Sequence, residues 1–171
     1  MNLVLVGYMA FGKSTIGKKL SKLMDFEFVD LDYYIEKKEN LTVSEIFKTK
    51  GEIYFRKIEQ QYLKEITTNA EKTIISLGGG TPCFYDTMGW LNALDNFKSI
   101  YLKTNLDVLT NRLYKDNQRP LVSHIKTKEE LKDFIAKHLF ERSFYYNQAQ
   151  IVIESTNNEE ETLNNILFKL I

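Results

Sequence analysis

Gly7, Gly12, Lys13 and Ser14 stand in the spacing G-x-x-x-x-G-K-S, a set of residues suited to handling phosphate. Glycines let successive backbone N–H groups converge on phosphate oxygens, and the N-terminus of a following helix adds positive potential. Lys13 then reaches the β and γ phosphates, and the Ser14 hydroxyl ligates Mg²⁺. That chemistry requires a strand before the loop and a helix behind it. Both are predicted: Asn2–Val6 is a short apolar run rich in branched residues that stops at Gly7, and Ile16, Leu20 and Leu23 recur at helical spacing from Ser14 to about Asp25. Ala10, Phe11, Gly12, Lys13, Ser14 and Thr15 are therefore the expected ATP contacts. Ala10 stands where such loops often carry glycine, so its backbone is expected to avoid any conformation that only glycine tolerates.

Many ATPases and GTPases place a magnesium-supporting aspartate at the end of an apolar strand. Here Ile74-Ile75-Ser76-Leu77 runs straight into Gly78, Gly79 and Gly80, so the carboxylate has to come from elsewhere. Asp30 and Asp32 close a second apolar run and are two apart; if the backbone stays extended, both project to one face. Asp30 can then hold a magnesium-bound water while Asp32 orients an acceptor hydroxyl or takes its proton. Away from a phosphate loop the same pair would read as a helix cap or a solvated turn. The three glycines suggest close backbone approach by a ligand, with a tight packing loop as the alternative. Cys83, the single cysteine, has no basic neighbour in sequence and reads as packing.

Only four of the 23 basic residues are arginine: Arg56, Arg112, Arg119 and Arg142. Where a generic surface charge suffices lysine serves, so these positions are the ones expected to need a planar fork that grips carboxylate or phosphate bidentately. Arg119, beside Pro120 in a charged loop over 115–126, is placed to fold over ATP phosphates, while Arg56 and Arg142 suit a clamp on a substrate carboxylate. Surface ion pairing is the alternative for each, and most of all for Arg112.

These groups need a scaffold that delivers them to one rim. Strands are predicted at Asn2–Val6, 27–31, 73–77, 99–102 and 149–153. Helical rhythm fills 14–25, 33–68 with a break at Gly51, 86–94, 106–113 and 128–146, and a last helix closes the chain. Strand–helix alternation predicts an α/β fold, a three-layer sandwich around a five-stranded parallel sheet, and the three motifs fall at the carboxyl ends of its first three strands. The 171 residues suffice for one domain. Balanced charge, 23 basic against 23 acidic residues, gives no sign of a nucleic-acid partner. The apolar start is too short to span a bilayer, and the lone cysteine suits a reducing compartment. A soluble cytoplasmic monomer working on small molecules is expected.

Taken together, these motifs resemble the shikimate kinase family from end to end. Gly7 to Thr15 resembles its phosphate loop, Phe28-Val29-Asp30-Leu31-Asp32 its D-x-D segment, and Phe55-Arg56-Lys57-Ile58-Glu59 its substrate-binding segment. Gly78 to Gly80 resembles its triple glycine, Arg119-Pro120-Leu121 its lid signature, and Arg142 with Tyr146 its late arginine helix. The resemblance implies ATP-dependent phosphorylation of the shikimate 3-hydroxyl with Mg²⁺ as cofactor. Lys13, Asp32 and Arg119 would be catalytic, with Ser14 and Asp30 at the metal and Arg112 against adenine. Asp32, Arg56, Gly78, Gly79, Gly80 and Arg142 would hold shikimate, with a substrate-binding insert near 33–61 and a mobile lid near 113–125. Two other readings stay open: a sister kinase for another sugar acid such as gluconate, and a nucleotide-binding protein without phosphotransfer.

Overall fold

Alternating apolar side chains along a strand can be buried on both faces only if helices cover both, and the chain folds that way. In a computed structural model that describes residues 1–115, 122, 124–155 and 158–171, five strands form one parallel sheet. They are β1 (Asn2–Val6), β2 (Glu27–Asp30), β3 (Thr73–Ser76), β4 (Phe97–Lys103) and β5 (Ile151–Glu154), in the order β2-β3-β1-β4-β5. Along β1, Leu3 and Leu5 face one core with Ile16 and Leu20 of α1 (Lys13–Met24) and Leu163 and Ile166 of α7 (Glu159–Leu170). Val4 and Val6 face the other core, built from α2 (Leu31–Glu39), α3 (Val43–Asn69), α4 (Thr87–Asn92), α5 (Leu106–Lys115) and α6 (Lys128–Tyr146). The result is the predicted three-layer α/β sandwich. No helix among the described residues is long and apolar enough to cross a membrane.

Element ends move for local reasons. α4 starts after Asp86 because Tyr85 and Asp86 both take left-handed backbone, φ 54° and 50°. β5 begins only at Ile151 because Ala149 still donates its N–H to the Tyr146 carbonyl at the end of α6. The break predicted at Gly51 is a kink inside α3, with φ 83° and ψ 170°. That region is essentially reserved for glycine. A Cβ at Gly51 would meet nothing within 4 Å, so only backbone strain opposes a side chain there. Gly51→Ala should therefore lower unfolding stability by about 1–3 kcal/mol, measured by urea denaturation; an unchanged midpoint would mean that the kink is not needed.

Candidate active site

The parallel register sets β1, β2 and β3 side by side, so the segments that leave their carboxyl ends meet. Gly12 is the N-cap of α1 at φ 91°. Lys13 is only 8 % exposed and donates from Nζ to the carbonyls of Gly7 at 2.9 Å and Tyr8 at 3.0 Å. Ala10 takes left-handed backbone, with φ 58°, a region that Asp25, Asn40, Lys72, Tyr85 and Asp86 also occupy and that glycine favours without monopolising. For a side chain with Cβ it costs about 1–2 kcal/mol.

Asp30 and Asp32 also arrive by a different route from the one predicted. The backbone turns helical at Leu31, so they do not share the face of an extended strand. Asp30 caps α2, accepting from the Tyr33 N–H at 3.3 Å, and its other oxygen accepts from Ser14 Oγ at 2.5 Å. Asp32 sits in the first helical turn. Both nevertheless line one cavity of about 270 Å³ with Lys13, Ser14, Thr15, Gly78 and Gly79, because the N-terminus of α2 opens onto the phosphate loop. Burial pushes the Asp32 carboxyl up to about 6, reinforced by the charges of Glu59 and Asp30 and opposed by Lys13. A carboxylate poised there can take a proton near neutral pH.

The triple glycine makes room for side chains. A Cβ on Gly78 would lie 3.0 Å from Asp32 Oδ1, one on Gly79 3.3 Å from Arg142 Nη1, and one on Gly80 2.5 Å from Arg56 Nη2. Three predicted acceptor residues thus converge on three successive peptide units. Arg56 is held by ion pairs, Nη1 with Glu59 at 2.8 Å and Nε with Glu52 at 3.5 Å, so the ion-pair reading holds for it. Arg142 has no carboxylate within salt-bridge distance among the described residues, and its guanidinium lies 5.9 Å from the Tyr8 ring centre. Arg112 donates to the Phe11 carbonyl at 2.8 Å and lines a second cavity of about 290 Å³ beside the loop, with Ser155, Glu159 and Thr162. Arg119, with Pro120 and Leu121, lies outside the described residues.

Sequence reading gave no role to the groups that brace this constellation, although Glu59 and Tyr146 stand in motifs it quoted. Glu59, 2 % exposed, accepts from Arg56 Nη1 at 2.8 Å and from Thr81 Oγ1 at 2.6 Å, and burial raises its own pKa. A carboxylate three residues after Arg56 on a helix was the available signal. Tyr146 donates its hydroxyl to the Gly79 carbonyl at 2.5 Å, and the Tyr8 hydroxyl pairs with His138 Nδ1 at 2.9 Å. Tyr8 and His138 are 130 residues apart, and no local pattern couples them.

Known proteins resemble the chain over nearly its whole length. The match to the family described as shikimate kinase spans residues 9–170. A shikimate kinase of Flavobacterium johnsoniae is 48 % identical over 167 residues, 96 % of either chain. The crystal structure of shikimate kinase from Bacteroides thetaiotaomicron superposes with a TM-score of 0.90 at 36 % identity, covering 99 % of this chain and 98 % of that one. Shikimate kinase from Acinetobacter baumannii, solved in complex with shikimate, superposes with a TM-score of 0.86 at 30 % identity, over 99 % and 92 % of the two chains. With its fold, its phosphate loop and its sequence all matching at that extent, the chain belongs to the shikimate kinase family.

Proposed function

We propose that this protein transfers the γ-phosphoryl group of ATP to the 3-hydroxyl of shikimate, giving shikimate 3-phosphate and ADP. The observation that carries the reading is the single cavity in which Lys13 and Ser14 face Asp32 across the glycines that Arg142 and Arg56 approach. The phosphates lie along the loop, with Lys13 exchanging its carbonyl bonds for the β and γ oxygens and Arg112 beside the adenine. Arg56 and Arg142 grip the acceptor carboxylate. Asp32 accepts the hydrogen bond of the 3-hydroxyl; as its oxygen bonds to the γ phosphorus and the bridge to the β phosphate breaks, the proton passes to the Asp32 carboxylate. The free site has Asp32 near 6, so most of it is ionised and able to accept at neutral pH.

The Ser14 hydroxyl and Asp30 carboxylate, 2.5 Å apart, are hard oxygen donors of the kind Mg²⁺ takes together with phosphate oxygens and water. When bound, the ion neutralises charge on the β and γ phosphates. Residues 33–61 serve as the acceptor-binding segment, and 113–125 as a lid bringing Arg119 over the phosphates. One chain supplies every group named, so the reading is of a monomer working on small molecules in the cytoplasm.

A coupled ADP-release assay with shikimate and with gluconate tests it. Turnover with shikimate, little with gluconate and slow ATP hydrolysis without acceptor are expected, because a closed site excludes water as a rival nucleophile. Equal turnover with gluconate would favour the sister kinase, and ATP binding without transfer to either would favour a binding protein.

A further inference from the structure

Arg56 sits among aromatic rings to a degree that ion pairing alone does not require. Its guanidinium carbon lies 4.4 Å from the ring centre of Phe84, 5.2 Å from Phe55 and 5.9 Å from Phe47. Phe55 and Phe47 belong to α3, which also carries Arg56, whereas Phe84 comes from the loop that follows the triple glycine. Phe55 is buried, yet Phe84 is 36 % exposed, more than its neighbours in the core. Such a ring belongs to a site's wall rather than to the interior.

Its place is firmly set. The Phe84 carbonyl accepts from the Thr87 N–H at 3.0 Å and from Thr87 Oγ1 at 2.6 Å, and Thr87 is 2 % exposed. Between them Tyr85 and Asp86 both adopt left-handed backbone, a local cost that holds this tight reversal. The reversal delivers Phe84 onto the guanidinium from one side while Gly80 admits it closely from its own. Nη1 is taken by Glu59, and the buried Nε makes no hydrogen bond among the described residues, with the Glu52 carboxylate 3.5 Å away.

We propose that Phe84 is a positioning residue for the acceptor: its ring holds the Arg56 guanidinium in place and screens it from water, and so sets how tightly a carboxylate is gripped. A cation beside an aromatic face gains more when desolvated, and a fork whose orientation is already fixed loses less freedom on binding. The inference rests on Arg56 being an acceptor contact, as proposed above.

Steady-state kinetics of Phe84→Leu, Phe84→Trp, Arg56→Gln and the Phe84→Leu/Arg56→Gln pair test it. Phe84→Leu keeps apolar bulk without a π face and should raise the shikimate KM roughly three- to tenfold, with kcat at saturating shikimate and the ATP KM little changed. Phe84→Trp should restore the wild-type KM. With Arg56→Gln already present, Phe84→Leu should add almost nothing, the signature of a coupled pair. A wild-type KM in Phe84→Leu, or the same fold loss with and without Arg56, would overturn the role of Phe84. A wild-type KM in Arg56→Gln would instead remove the carboxylate clamp itself.

Discussion

Asp32→Asn should lower kcat by about 10²–10⁴ while leaving ATP affinity nearly unchanged, because it removes the proton acceptor and touches no phosphate contact. The same substitution should make the protein more stable at neutral pH. In the folded chain the Asp32 carboxyl titrates near 6, above its ordinary 3.8, chiefly through burial. Its contribution to stability is therefore fully present below 3.8, where it is protonated in both states, and is lost as pH rises through about 6. Above that pH the buried charge opposes folding by about 1–3 kcal/mol, and asparagine lifts the penalty. Urea midpoints at pH 5 and pH 7.5 measure this: the gain of Asp32→Asn over wild type should be larger at the higher pH. A wild-type kcat in the variant would reduce Asp32 to a structural residue. In the active enzyme, kcat/KM should rise with pH through an apparent value near 6 as free Asp32 ionises.

Arg142→Lys should raise the shikimate KM by about 10- to 100-fold with ATP binding unaffected. Charge is retained, so the loss isolates the planar fork, and one charge-assisted bond is worth about 1.5–3 kcal/mol. Arg142 is suited to the measurement because it forms no salt bridge with a carboxylate among the described residues, although its charge is felt by Glu59 and it bonds to Tyr146. Initial rates at saturating ATP over a shikimate series give the value, and an unchanged KM would exclude Arg142 from the acceptor carboxylate.

The five strands, the helix cover on both faces of the sheet and the phosphate loop were legible because they rest on local pattern, whereas the sheet order β2-β3-β1-β4-β5 was not. Leu3 and Leu5 alternate with Val4 and Val6, and Gly12-Lys13-Ser14 follows directly. The arginines stood out for a compositional reason, since the chain otherwise uses lysine, and two of them, Arg56 and Arg142, lie against the triple glycine. Asp30 and Asp32 were found with the wrong geometry: an N-cap and a first-turn residue reach one cavity as well as two strand residues would. What stayed hidden depends on distance along the chain. Glu59 meets Thr81 across 22 residues and Tyr8 meets His138 across 130, and neither contact leaves a periodic trace.

Gly78, Gly79 and Gly80 take on a further meaning from what rests against them. Asp32 comes from α2, Arg56 from α3 and Arg142 from α6, three helices that could drift independently as their sequences change. Each side chain instead abuts its own unit of one short peptide run, whose Cα atoms are spaced by covalent geometry at about 3.8 Å. The run works as a ruler: the spacing of the Asp32 carboxylate and the two guanidinium groups is gauged against the backbone beyond β3 rather than by the mutual packing of three helices. Small shifts of a helix axis can be absorbed by side-chain rotamers, whereas a single methyl group on the ruler would displace the residue it gauges.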